Sequence, residues 1–390
     1  MNIFIKKDRN NVVVKTLTCY NAKCAKSEFI KEALMGFKVL AINPGSTSTK
    51  LAIYEDETCI FKFSVRHDSE IIASFERIID QYDFRKKAIM EALNKSDINI
   101  SELDAVVGRG GMLKPIEGGT YEVNQAMIDY IKEAPRGEHA SNLGCVIAKE
   151  IADGIGVPSF IVDPVAVDEM EDIARYTGMP EIKRDSLFHA LNQKAVALKA
   201  ARDLGKPYKE LNLIIAHLGG GISVGVHRKG RVIDVNNALD GDGPMSPERS
   251  GSVPLGPLYK MVFSGKYTLK EIQRKNYGQG GLVAYLGTND GYEIEKRIKA
   301  GDEEARFIFG VMCYQIAKEI GSGATVLKGN VDAIVLTGGL AYDKLAVSLI
   351  KDRVEFISKV LVYPGEDEME SLAQGALRVL REEESAKEYR

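Results

Sequence analysis

Tryptophan is absent from the 390 residues, cysteine occurs only 5 times, proline 12 times, and neither sign of charge prevails. Each scarcity narrows the field. The 52 Lys+Arg set against 55 Asp+Glu leave a formal charge of −3, which speaks against a broadly basic nucleic-acid binder and against an acidic disordered chain. No stretch approaches the roughly 18 uninterrupted apolar residues of a membrane span. Cys19, Cys24, Cys59, Cys145 and Cys313 form an odd, scattered set, which reads as reduced thiols of a cytoplasmic protein and not as a disulfide framework. No second Cys or His pair accompanies Cys19 and Cys24, so zinc is not expected there. Residues 1–36 lack the apolar segment of a secretory signal and carry a lone arginine, unlike a transit peptide. They read as an extension of uncertain role with a short helix over 27–34, the core pattern starting at Phe37.

Glycine is plentiful: 37 residues, close to one in ten against a usual share of roughly 7%. It gathers in clusters, such as Gly108-Arg109-Gly110-Gly111, Gly219-Gly220-Gly221 and Gly338-Gly339, where backbone can come close to a ligand. Apolar residues at 45% and charged residues at 27% are the usage of a soluble chain with a sizeable core, and the length allows two or three domains. From Lys38 to Tyr54 an apolar run, a polar Gly turn and a returning strand are followed by a third strand through Ile60, Phe61 and Phe63. The design recurs over Asn212–His227 with a third strand Arg231–Val235, Val39–Asn43 falling on Leu213–His217 and Gly45 on Gly219. Two such meanders predict a duplicated domain. Between and after them strands (103–107, 159–162, 331–337) alternate with helical periodicity (69–95, 124–133, 141–155, 187–204, 268–276, 293–299, 302–323 and from about 366 or 368), which predicts α/β layers around a cleft.

The familiar phosphate loops are missing. No Gly-x-x-x-x-Gly-Lys-[Ser/Thr] occurs, and the dinucleotide fingerprint begun at Gly219 fails because Val224 precedes Gly225. Turns bearing small polar residues offer another way to aim N–H groups at anionic oxygens. Asn43-Pro44-Gly45-Ser46-Thr47-Ser48-Thr49-Lys50 has that character. Arg109 and Arg249 stand in glycine- and serine-rich loops, and the planar guanidinium suits phosphoryl oxygens.

Taken in order, Asn-Pro-Gly-Ser-Thr-Ser-Thr-Lys, Val-Gly-Arg-Gly-Gly, Phe-His-Ala-Leu-Asn, His-Leu-Gly-Gly-Gly, Arg-Ser-Gly and Leu-Thr-Gly-Gly-Leu closely resemble the acetate kinase family over residues 37–390, and its butyrate kinase branch in the variants. The resemblance implies two duplicated actin-like ATPase domains of α/β class, 37–165 completed by a C-terminal helix 369–390, and a nucleotide-binding domain 166–368. It implies ATP/ADP and Mg2+, a short-chain carboxylate substrate, a cytoplasmic setting, no nucleic-acid or membrane partner, and at least a homodimer. Arg109 and Arg249 would flank carboxylate and phosphoryl group, with His189 donating to a phosphoryl oxygen. Asp163 would be a catalytic acid and magnesium partner, joined by Asn43 and one of Glu366, Asp367 and Glu368, preferably Glu368. Asn43, Ser46, Ser48 and Lys50 would form one phosphate turn, His217 and Gly219–Gly221 the other, and Asp290, Gly338 and Gly339 the nucleoside side. Tyr292 stands where the family has an arginine.

Gly111, His139 and Phe188 would shape the acyl pocket. Where acetate kinases carry a bulky aliphatic residue this chain has Gly111, which predicts added room for butyrate or branched acids at about 0.8 kcal/mol per buried CH2. Glu138, next to His139, is a departure that the pocket argument leaves unexplained. The competing readings are an acetate or propionate kinase and, of a different class, a non-catalytic actin- or heat-shock-like ATP-dependent switch, which would not need Arg109, Arg249 and His189.

Overall fold

The computed structural model describes residues 4–7, 13–16, 36–96 and 98–390. Strands β1 (Phe4–Lys7) and β2 (Val13–Thr16) pair antiparallel within one unit, and the helix expected over 27–34 lies outside the described residues. The other unit, Lys38–Arg390, is built on two sheets.

The first sheet starts with the expected meander of β3 (Lys38–Pro44), β4 (Ser48–Glu55) and β5 (Thr58–Arg66). Val39 to Ile42 are fully buried, so this run shows no alternation. β6 (Ala105–Gly108) pairs parallel to β3, β7 (Thr120–Glu122) runs antiparallel to β8 (Ser159–Val162), and β8 is parallel to β6. The second sheet repeats the plan with β9 (Asn212–Leu218), β10 (Ile222–Arg228), β11 (Arg231–Val235), β12 (Ala333–Gly338) and β13 (Val360–Pro364). Strand order is β5-β4-β3-β6-β8 in one, with β7 and a short C-terminal strand added beyond β8, and β11-β10-β9-β12-β13 in the other. A meander and two parallel strands thus occur twice, and the doubling seen in the two Gly turns extends to topology.

Helices cover both faces of the second sheet. Glu303–Val326 and Lys344–Val354 bury Met312, Ile316 and Ile350 against Ile214, Val226 and Leu336. On the opposite face Ala190–Leu204 buries Val196, Ala197 and Ala200 against Leu213, Ile215 and Val335. On the first sheet, Asn142–Ile155 lays Leu143, Ile147 and Ile151 on Leu40, Ile42 and Val106. The helix Glu368–Leu380 packs on β3, β6 and β8 and also on Ala190–Leu204, so these two helices touch each other while resting on different sheets. Among the described residues no helix is long and apolar enough to cross a membrane.

Three expectations need correction. The periodicity over 69–95 resolves into helix Ser69–Ala73, a 3-10 turn Ile78–Gln81 and helix Tyr82–Leu93. Glu138 explains the break: its carboxylate accepts from Ile78 N and Arg77 Nε, stapling the turn to the segment before His139. The C-terminal helix ends at Leu380, and β14 (Lys387–Glu388) returns as an edge strand parallel to β7 with Tyr389 buried beside it. The helix expected from 187 begins at Ala190, leaving His189 at its N-cap with its side chain free of capping duty.

Candidate functional site

The turn between β3 and β4 closes by a hydrogen bond from Gly45 N to Ser48 O (2.7 Å). Asn43 and Lys50 face each other across it in register. Behind the turn lies Arg85, fully buried, whose guanidinium donates to Gly45 O (2.8 Å), Ser46 O (3.0 Å) and Gln81 Oε1 (2.9 Å). Ser46 itself is exposed and contributes this backbone contact. Nothing in the residue pattern singles out Arg85, because one arginine on a helix reads as a solvated side chain.

A crevice of about 370 Å3 opens in front of the turn, lined by Asn43, Ser48, Lys50, Arg109, His139, His189 and Glu368. Its other wall is apolar, from Met112, Val165, Leu187, Phe188 and Leu239. Arg109 is positioned by backbone contact: a Cβ on Gly108 would stand 2.1 Å from Gly144 O, and one on Gly144 would stand 2.3 Å from Arg109 O. The strand end and the helix Asn142–Ile155 therefore meet main chain to main chain. Glu368 accepts from both Arg109 Nη1 and Asn43 Nδ2. His139 lines the crevice with Nδ1 accepting from Ser141 N (3.2 Å), and burial, aided by the Arg109 charge, pushes its pKa down.

His189 and His217 stack with centroids 3.8 Å apart. Burial is the main cause that holds the His189 pKa well below the usual range, followed by His217, Arg249 and Arg109. Both arginines thus act on the same imidazole. His217 is buried under the second turn, its Nδ1 on Asn192 Oδ1 (2.7 Å) and its Nε2 3.3 Å from Glu366 Oε1 but not hydrogen-bonded. Arg249 rests directly on that turn: a Cβ on Gly221 would lie 1.9 Å from Arg249 Nη1. Nη1 is buried without a hydrogen-bond partner, and desolvation lowers the guanidinium pKa. Ser246 ties this loop to the turn by donating to Gly220 O (2.6 Å) and accepting from Arg249 N (3.1 Å). A half-buried guanidinium with one N–H unmet has a donor to spare for an anion.

A second cavity of about 700 Å3 is lined by Gly219, Gly220, Glu248, Asp290, Gly339 and Glu366, with Tyr292, Leu340 and Tyr342 among its walls. Gly338 stands behind it. Its φ is +88° and a Cβ there would lie 2.5 Å from Leu218 O, so no other residue fits where β12 meets β9. Asp290 caps the helix Gly291–Lys299 by accepting from Tyr292 N (2.9 Å), so a cavity-lining carboxylate already has structural work. The three consecutive acids diverge. Glu366 lines this cavity and is held below the usual carboxylate range by His217 foremost; Asp367 (φ +26°) lines a third cavity; Glu368 faces Arg109.

Two expected residues are not where the sequence reading put them. Gly111 adds no room to the crevice, because the Asn142 side chain fills the space: a Cβ on Gly111 would lie 2.1 Å from Asn142 Oδ1, which accepts from Met112 N. Asp163 does not line the crevice with Asn43 and Glu368. It lines the third cavity, about 720 Å3, and accepts from Gly119 N (2.7 Å). Burial raises its pKa to about 6 against the opposing charge of Lys194, and its backbone sits at φ +37°.

Two sheets of repeated strand order, with Arg109 just beyond β6 and Arg249 against the glycine turn that follows β9, make this an α/β fold of doubled topology. Residues 176–368 match the Acetokinase family. The structure is similar to an acetate kinase from Porphyromonas gingivalis, at 22% identity and TM-score 0.73 over 88% of this chain and 100% of that one. It is also similar to a propionate kinase from Francisella tularensis subsp. tularensis SCHU S4 (19%, TM-score 0.67, 87% and 98%) and to an acetate kinase from Entamoeba histolytica (17%, TM-score 0.69, 87% and 98%). At these identities the likeness establishes the fold.

Proposed function

We propose that this chain transfers the terminal phosphoryl group of ATP reversibly to a short-chain carboxylate, giving an acyl phosphate and ADP, with butyrate and branched acids preferred to acetate. The observation that carries this reading is one crevice in which Arg109, His139 and His189 face an apolar wall of Met112, Val165, Leu187, Phe188 and Leu239. A carboxylate is already a nucleophile, so the protein has only to hold two anions in line and offset their charge. His139 takes a hydrogen bond at Nδ1, which leaves its Nε2–H as a donor for the carboxylate. Arg249, with its unmet Nη1 beside the glycine turn, and His189 serve the phosphoryl oxygens. The larger cavity beside Gly219, Gly220 and Gly339 takes the nucleotide.

Magnesium fits this arrangement. Among the described residues no three His, Cys, Asp or Glu converge as a metal cage, but this ion keeps several waters and needs one or two carboxylates beside substrate phosphates. Glu368, with Asn43 at 2.6 Å, would hold it, and when bound it would neutralise phosphate oxygens. Asp163 lines the third cavity and is left to position Gly119. In this reading 37–165 with the C-terminal segment and 166–368 act as two domains in the cytoplasm. A homodimer would cover the helix Leu255–Val262, which buries no residue and exposes Leu255 and Tyr259.

The acyl preference follows from the wall. Two further CH2 groups buried at about 0.8 kcal/mol each favour butyrate over acetate by about 15-fold in kcat/KM. Trapping the product with hydroxylamine across C2 to C6 acids, with ATP and Mg2+, tests both parts. Acetate as good as butyrate removes the preference; no hydroxamate from any acid removes the phosphotransfer.

A further inference from the structure

A chain of buried side chains runs from His189 away from the crevice. Its hydrogen-bond directions follow from one fixed point. Ser223 O is a backbone carbonyl and can only accept, so the Gln193 atom 3.1 Å from it is the amide nitrogen. That same Nε2 lies 2.9 Å from Ser223 Oγ and donates to it. Ser223 Oγ, accepting there, turns its hydrogen to its other neighbour, His189 Nδ1 at 2.9 Å. On the far side Gln193 Oε1 is an acceptor, so His227 Nε2, 2.9 Å away, carries a proton. His227 Nδ1 is then an acceptor for Tyr208 OH at 2.7 Å. Ser223, Gln193 and His227 are completely buried, which leaves no water to reverse the order.

We propose that Tyr208, His227, Gln193 and Ser223 form a positioning relay that fixes His189 as its Nε2–H tautomer, keeping a donor aimed into the crevice. Among the described residues His189 Nε2 has no hydrogen-bond partner, while His189 lines the crevice beside Arg109. The relay explains Gly225, the glycine that spoils the dinucleotide fingerprint: a Cβ there would lie 2.1 Å from Gln193 Oε1 and 3.2 Å from His227 Nε2. The catalytic use of that donor rests on the phosphotransfer reading; the tautomer does not.

The test is a long-range 1H–15N correlation spectrum of the full chain labelled at its 5 histidines, with His189→Gln used for assignment. The native protein shows His189 protonated at Nε2 and bare at Nδ1. Gln193→Glu presents only acceptors to Ser223, draws the hydroxyl hydrogen to itself, and moves the His189 proton to Nδ1. Ser223→Ala, which disturbs packing least, removes the donor and leaves a mixture of tautomers. With both variants kcat falls by about 10²-fold and KM for the acid changes little, the cost of losing one oriented oxyanion donor. Native His189 protonated at Nδ1, or a tautomer unmoved by either variant, overturns the relay. Native Nε2–H with no phosphotransfer to any acid sinks the functional reading and leaves the relay in place.

Discussion

Gly221→Ala separates the positioning of Arg249 from the stability of the fold. The new Cβ would stand 1.9 Å from Arg249 Nη1, 2.5 Å from Cζ and 3.1 Å from Nη2. Real Cβ contacts stay beyond about 3 Å, so the guanidinium must retreat by about 1 Å. Retreat is cheap in folding terms, because the obstructing atoms are the far end of a flexible side chain and Gly221 is not among the positive-φ glycines. Catalysis is less forgiving, since a displacement of about 1 Å in a positioning group costs about 10²-fold, or about 2.7 kcal/mol of transition-state stabilisation. Hydroxamate formation from butyrate and ATP should therefore fall about 10²-fold in kcat/KM, toward the level of Arg249→Ala, with the melting temperature almost unchanged. A Gly221→Ala protein within about threefold of native kcat/KM would show that Arg249 does not work from the position on the glycine turn.

Other consequences can be measured with the same protein. Arg85→Met strips donors from Gly45 O, Ser46 O and Gln81 Oε1, and two or three orphaned acceptors should cost about 3 kcal/mol in urea unfolding along with weaker ATP binding. His67, buried on Thr49 and beside Arg85, has its pKa lowered from 6.5 to about 4, chiefly by burial. It is therefore neutral in the fold while the unfolded chain takes up a proton, so stability is full above pH 6.5 and is lost as pH falls toward 4. Melting curves of His67→Gln should be flatter than native over that range; parallel curves would refute the assignment. Val165→Phe narrows the apolar wall and should lower kcat/KM for butyrate about tenfold more than for acetate in the hydroxamate panel.

The strands were legible because burial on both faces writes itself as unbroken apolar runs: Val39–Ile42 and Leu213–Ile215 are wholly buried in matching places of their sheets. Polar turns at the ends of β3 and β9 were legible for the same reason, since each interrupts such a run with Gly and Ser or His. The C-terminal strand was not, because two residues carry no period and Lys387–Glu388 follows a charged stretch that resembles the end of a helix. Nor was the relay. Gln193 and Ser223 lie on different elements 30 residues apart, and each alone is an ordinary polar residue on a helix or strand.

Glycine marks the boundary between what could be read and what could not. A glycine announces that a side chain is forbidden, but its neighbours in sequence do not say what forbids it. At Gly111 the absence of a side chain suggested empty room for an acyl chain, whereas Asn142 Oδ1 would lie 2.1 Å from a Cβ there. At Gly225 it looked like a failed nucleotide motif, and Gln193 Oε1 is as close. At Gly221 it was assigned to phosphate, and Arg249 Nη1 is closer still. In each case the missing side chain is the imprint of a partner that comes from another element. The three glycines therefore record where Asn142, Gln193 and Arg249 sit behind the crevice lining, and Gln193 and Arg249 are where substitution should move activity without unfolding the chain.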